Sequence, residues 1–109
     1  MKKRKISKNK QPVKAAIAWY KPNQWQRLRE IAEDRDELEA THEEWEILAE
    51  KALKDFAAKG LPVTKITVDT EELLPWCNER GLKVNGKSRS QYAAWLLQEK
   101  DKRNGESDR

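Results

Sequence analysis

Apolar positions along the chain fall into six separated clusters, and their spacing predicts alternating strands and helices. Ala15-Ala16-Ile17-Ala18-Trp19-Tyr20 is a run of six apolar side chains framed by Pro12 and Pro22. It is too short to hold a helix alone, and its proline borders mark it as a strand. Pro22 suits the first turn of a helix, where a missing N–H costs nothing. Trp25, Leu28, Ile31 and Ala32 then recur at helical spacing. Thr41 with Glu44 three residues on forms a capping box. Behind it Trp45, Leu48, Ala49, Ala52 and Phe56 make one apolar stripe, ended by Gly60 at a position suited to a left-handed stop.

From Val63 to Asp69 the pattern changes to strict alternation. Thr64, Ile66 and Val68 share one face, and Val63, Lys65 and Thr67 the other, as in a strand packed on one side. Asp69 or Thr70 caps a third helix carrying Leu73, Trp76 and Cys77. Pro75 should shorten or kink it, and Gly81-Leu82 repeats the Gly60-Leu61 stop. A last helix from about Gly86 to Lys102 turns Tyr92, Ala93, Trp95 and Leu96 inward, with Asn104-Gly105 as its stop. The predicted fold is a helix-rich α/β domain of the α+β type, ordered β-α-α-β-α-α. An up-down helix pair between the strands makes a small antiparallel two-stranded sheet the simplest pairing. Residues 13–100 form the single domain, between a basic tail (1–12) and a polar tail (101–109).

Charge sharpens this division. The 109 residues carry 23 Lys and Arg against 19 Asp and Glu. Residues 1–14 hold seven of the basic groups and no acid, while residues 30–50 hold ten acids and one base, Arg35. The alkaline balance therefore belongs to the leader, and a nucleic-acid-binding fold should instead be basic on its own face. The leader has too few apolar side chains to pack and reads as disordered. It is either a solubilising segment or, through residues 2–14, a salt-sensitive phosphate binder. No apolar stretch approaches the roughly 20 residues that span a bilayer, and the basic start lacks the apolar core of a signal peptide. One cysteine, Cys77, forms no internal disulfide, and the expected setting is a reducing cytoplasm.

Few residues offer chemistry. Gly81-Leu82-Lys83-Val84-Asn85-Gly86-Lys87-Ser88 fits the GxxxxGK[ST] phosphate-loop pattern. Its first glycine, however, follows a predicted helix where a phosphate loop needs a buried strand, and Asn85 reads as a helix cap. A weaker reading leaves a small anion site at that helix start, from Arg80, Lys83, Lys87, Ser88 and Arg89. His42 has no neighbouring imidazole or thiolate, so no metal site is expected, and Cys77 becomes a nucleophile only if His42 folds against it. The five tryptophans lie on apolar stripes and read as packing residues.

The blocks Ala18-Trp19-Tyr20, Glu43-Glu44-Trp45, Trp76-Cys77 with Arg80-Gly81-Leu82, and Arg89 three residues before Tyr92 resemble a family of short bacterial proteins, over about residues 15–97. That resemblance implies a bacterial cytoplasmic protein, and no catalytic residue or cofactor comes with it. The residues themselves favour a non-enzymatic module that binds a protein partner or a second copy of itself. The first strand is apolar on both faces, so the expected contact face is Ala16, Ala18 and Tyr20 with Lys65 and Thr67. Two alternatives stand beside it: nucleic-acid association through the leader, and a nucleotide-binding enzyme using Gly81 to Ser88.

Overall fold

The computed structural model describes residues 15–107. The leader, whose disorder and phosphate contacts through residues 2–14 are expectations of the sequence, lies outside the described residues. Strand β1 (Ala15–Trp19) is followed by helix α1 (Pro22–Ile31), a 3₁₀ turn at Arg35–Glu37, helix α2 (His42–Ala58), strand β2 (Val63–Thr67), and helices α3 (Thr70–Glu79) and α4 (Gly86–Ser107).

The strands are parallel, which overturns the expected antiparallel pair: Ala15 lies opposite Val63, Ile17 opposite Lys65 and Trp19 opposite Thr67. The reason is where α2 begins. His42 Nε2 lies 2.6 Å from the Tyr20 carbonyl oxygen; that oxygen only accepts, so this ring nitrogen carries the proton. The start of α2 is thereby pinned to the end of β1. α1 and residues 32–41 form an excursion that leaves this end of the sheet and returns to it, held by a bond from the Trp25 indole N–H to the Glu39 carbonyl (3.0 Å). Only α2, 17 residues and about 25 Å long, carries the chain back down. A single returning helix delivers β2 in the same direction as β1.

The helix ends follow local chemistry. Thr41 Oγ1 accepts from the Glu44 N–H (3.1 Å) and Asp69 Oδ1 from the Glu71 N–H (2.9 Å). At Gly60 (φ 75°) the N–H of Leu61 bonds back to Phe56 O and that of Gly60 to Ala57 O. At Gly81 (φ 67°) the same pair of bonds runs from Leu82 to Cys77 and from Gly81 to Asn78. Both are Schellman stops, which need a residue comfortable at positive φ. Pro75 is accommodated inside a continuous α3. α4 continues past Asn104-Gly105 to Ser107, so the expected stop at that pair is not observed.

The larger core sits at the carboxyl end of the strands. There Tyr20, Trp25, Leu28, Ala32, Val68, Leu73, Cys77, Val84 and Tyr92 pack together. A smaller cluster, Ile66, Ala93 and Leu97 with Ala16 and Ala18 against it, joins α4 to one sheet face. α2 covers the other face: Trp45 meets Trp19 at 4.9 Å between ring centroids, and Glu50 pairs with Lys65 at 3.2 Å. Among the described residues no helix is long and apolar enough to cross a membrane.

Candidate functional site

The start of α4 already holds an anion, and it belongs to the chain. Arg89 grips Asp34 with two parallel bonds of 2.9 and 3.1 Å, and the Gly86 N–H donates to the same carboxylate at 3.0 Å. Both side chains are largely buried. The Arg89 bonds, helped by its charge and by Gly86, hold the Asp34 carboxyl below the usual range against the opposing effect of burial. Beside this pair lies the Tyr20 hydroxyl, pushed well above the ordinary phenol range by burial, with Arg89 offsetting part of that rise.

Ser88 is equally committed. It is buried, its Oγ donates to the Lys83 carbonyl at 2.6 Å, and it exchanges bonds with Asn85 in a reciprocal cap (3.0 Å each way). Gly81 ends a helix, and residues 82–85 form the short link into α4. A phosphate loop has a strand entering its first glycine and a hydroxyl turned to the ligand; Gly81 to Ser88 have neither. Lys83 and Lys87 are exposed. Arg80 turns away from the α4 start, its guanidinium 4.1 Å over the Trp76 ring and 5.8 Å from Trp95, and bonds the Trp76 carbonyl. The expected anion residues are therefore not gathered around a common point.

The tryptophans form two groups. Trp19, Trp25 and Trp45 surround Tyr20 and His42 at the carboxyl end of β1. Trp76 and Trp95 flank Tyr92, and Trp95, expected to face inward, is 36% exposed. His42 spends one nitrogen on the backbone of Tyr20, and Cys77 is fully buried. A cleft of about 210 Å³ opens at the carboxyl ends of the strands between Lys21, Gln24, Asp69, Glu72 and Tyr92. Ligands favour that place in parallel sheets, yet Gln24 Oε1 is spent on the N–H and hydroxyl of Thr70, and Asp69 on its cap.

The parallel register separates the expected contact face. Ala16 and Ala18 pack toward Ile66 and α4, and Tyr20 is buried in the core. Lys65 lies on the opposite face, 4.1 Å over the Trp19 ring and paired to Glu50. Thr67, two residues on, shares that face by alternation. What remains open is the edge of β1. The Trp19 carbonyl accepts from the Val68 N–H (2.9 Å), so Trp19, Ile17 and Ala15 turn their backbone groups to β2. Ala16 and Ala18 turn theirs outward, and the described sheet has no third strand.

At the start of the two strands lies an apolar groove of about 380 Å³, lined by residues 15–18, Phe56, Leu61, Pro62, Val63 and Ser90. The α2 stripe continues it through Leu48, 53% exposed, and Phe56, 37%, and Leu61 just past the helix stop is 50% exposed. Two apolar positions that the periodicity assigns to a core, Leu48 and Phe56, thus stand open beside a strand edge that no other described strand covers. Sequence reasoning pointed to β1 and missed the α2 flank, because periodicity shows a stripe but not how far the sheet extends beneath it. Compared with known proteins, the chain matches no family model, no curated protein and no solved structure.

Proposed function

We propose that this protein is a non-enzymatic interaction module that docks an extended polypeptide segment against the free edge of β1. The supporting observation is the coincidence of outward backbone groups at Ala16 and Ala18 with the exposed apolar wall of Leu48, Phe56 and Leu61. Strand addition draws affinity from main-chain hydrogen bonds and selectivity from the side-chain walls beside them. Edge strands are usually protected by a charge or a proline. β2 carries Lys65; β1 carries neither within Ala15–Trp19. A photo-reactive residue at Phe56 in the full chain, irradiated in cells, is expected to capture a polypeptide. The same group at Lys83 is expected to capture far less. Equal capture at the two positions overturns the reading.

A further inference from the structure

We infer that the cleft at the carboxyl ends of the strands binds a small amino acid, its ammonium held by Asp69, Glu72 and Tyr92 and its carboxylate by Lys21 and Gln24. The inference goes beyond strand docking: the cleft lies at the other end of the sheet from the apolar groove and shares no lining residue with it. Its volume of about 210 Å³ is below the roughly 300 Å³ at which drug-sized sites begin. The occupant is therefore small.

The residue that points to a ligand is Tyr92. It is 2% exposed, yet its hydroxyl makes no hydrogen bond among the described residues and is not one of the enclosed unpaired atoms. The hydroxyl therefore ends on the space of the cleft that Tyr92 lines. There the charges of Glu72 and Asp69 reach it, adding to burial in raising the phenol above its ordinary range. The start of α3, which forms the neighbouring wall, has no donor left for an anion. The Thr70 N–H is spent on Gln24 Oε1, that of Glu71 on Asp69 Oδ1, and those of Glu72 and Leu73 on the Asp69 carbonyl. What remains is a set of three acceptors: Asp69 Oδ2, the Glu72 carboxylate and the Tyr92 hydroxyl. An ammonium has three donors and no acceptor, so it fits that set. Two carboxylates are too few for a metal, and the described residues hold no cluster of three ligating side chains. The second pole comes from the start of α1. Two bonds from Thr70, of 2.7 and 2.8 Å, fix the Gln24 oxygen, so this amide offers its –NH2 group. Lys21 lines the cleft beside it and has no ion pair among the described residues. Donors from α1 and acceptors from α3 and α4 suit a zwitterion, and Leu96 gives its short aliphatic chain an apolar wall.

The test is an amide-resolved NMR titration of the full chain with glycine, 4-aminobutyrate and 6-aminohexanoate, which span the two poles at different lengths. n-Butylammonium and butyrate serve as one-ended controls. The expected result is saturable shifts at residues 21–24 and 67–73 with a millimolar Kd, as befits so few ligand atoms. At least one amino acid should bind more tightly than either control. Glu72→Gln, at an exposed site, and Tyr92→Phe, which keeps the ring in the core, should each weaken that binding about fivefold. Lys21→Met should weaken the amino acid by a similar factor without weakening n-butylammonium. The remaining amides report that each variant is folded, and Glu43→Gln, an equally exposed acid on α2, should bind as the native chain does. No saturable shift with any of the three amino acids up to about 100 mM overturns the site. So does binding that is unchanged in both Glu72→Gln and Tyr92→Phe, or weakened as much by Glu43→Gln. n-Butylammonium binding as tightly as the best amino acid overturns the carboxylate pole and with it the ligand class. None of these results bears on capture through Phe56, so strand docking stands or falls separately.

Discussion

At the scale of single residues, Asp34 and Arg89 are the interaction most sensitive to change. The pair is largely buried and doubly bonded, so removing one partner leaves the other charged and poorly solvated. Arg89→Ala is expected to cost about 3 kcal/mol, and Arg89→Lys most of that, since an ammonium cannot reproduce the forked geometry. Chemical denaturation measures both. The pH dependence follows from the depressed carboxyl. A carboxyl held lower in the folded chain than in the unfolded one stabilises fully above its unfolded value, near 3.8. That contribution fades as pH falls through the lower folded value. Melting temperatures of the native chain and Asp34→Asn should therefore differ most near neutral pH and converge below about pH 4. A gap that persists unchanged to pH 2 contradicts the assignment. Gly81 gives a second, purely local case: φ is 67° and nothing lies within 4 Å of an added Cβ. Gly81→Ala should cost about 1 kcal/mol from backbone strain alone, and Gly81→Asn less.

At the scale of elements, the sequence was legible wherever a signal is local. The capped start of α2, the alternation of β2 and the two glycine stops each need only neighbouring residues, and each appears where the pattern places it. Strand direction was not legible, because it depends on His42 meeting the Tyr20 carbonyl 22 residues away. Nor was the candidate site: Asp34 fills the start of α4 from 55 residues before Arg89, and no spacing rule reaches that far. The stripe of α2 shows the same limit. Its periodicity treats Leu48 and Ala49 alike, yet Ala49 is buried and Leu48 is 53% exposed. Leu48→Gln should thus change monomer stability by no more than about 0.5 kcal/mol, whereas Leu73→Ala, fully buried in α3, should cost about 3 kcal/mol. Thermal melts of the two variants beside the native chain make the comparison.

At the scale of the whole molecule, charge and apolar surface are divided between separate parts of the chain, and the division gives a prediction of its own. The leader brings seven cations in residues 1–14, and the remaining chain has 16 basic against 19 acidic groups. In the described part the cations are spread thinly: Arg89 is bound to Asp34, Arg27 to Glu71, Lys65 to Glu50, and Arg80 lies on Trp76. Of the α2 acids, Glu43, Glu44 and Asp55 are exposed, while Glu50 is paired with Lys65. Such a body repels a phosphate backbone, so the affinity of the full chain for duplex DNA should reside in the leader. Seven phosphate contacts at most would give a slope of log K against log salt no steeper than about −6. Deleting residues 2–14 should abolish the binding. Fluorescence anisotropy between 50 and 300 mM salt reads both quantities. Binding that survives the deletion would place a basic surface on the fold itself, contrary to its charge distribution. The same deletion leaves Ala15–Trp19, Leu48 and Phe56 intact, so photo-capture through Phe56 should continue unchanged. A leader that altered both activities together would show that polycation and strand edge act as one device, and separate losses would show that the chain keeps its electrostatic and its strand-pairing surfaces apart.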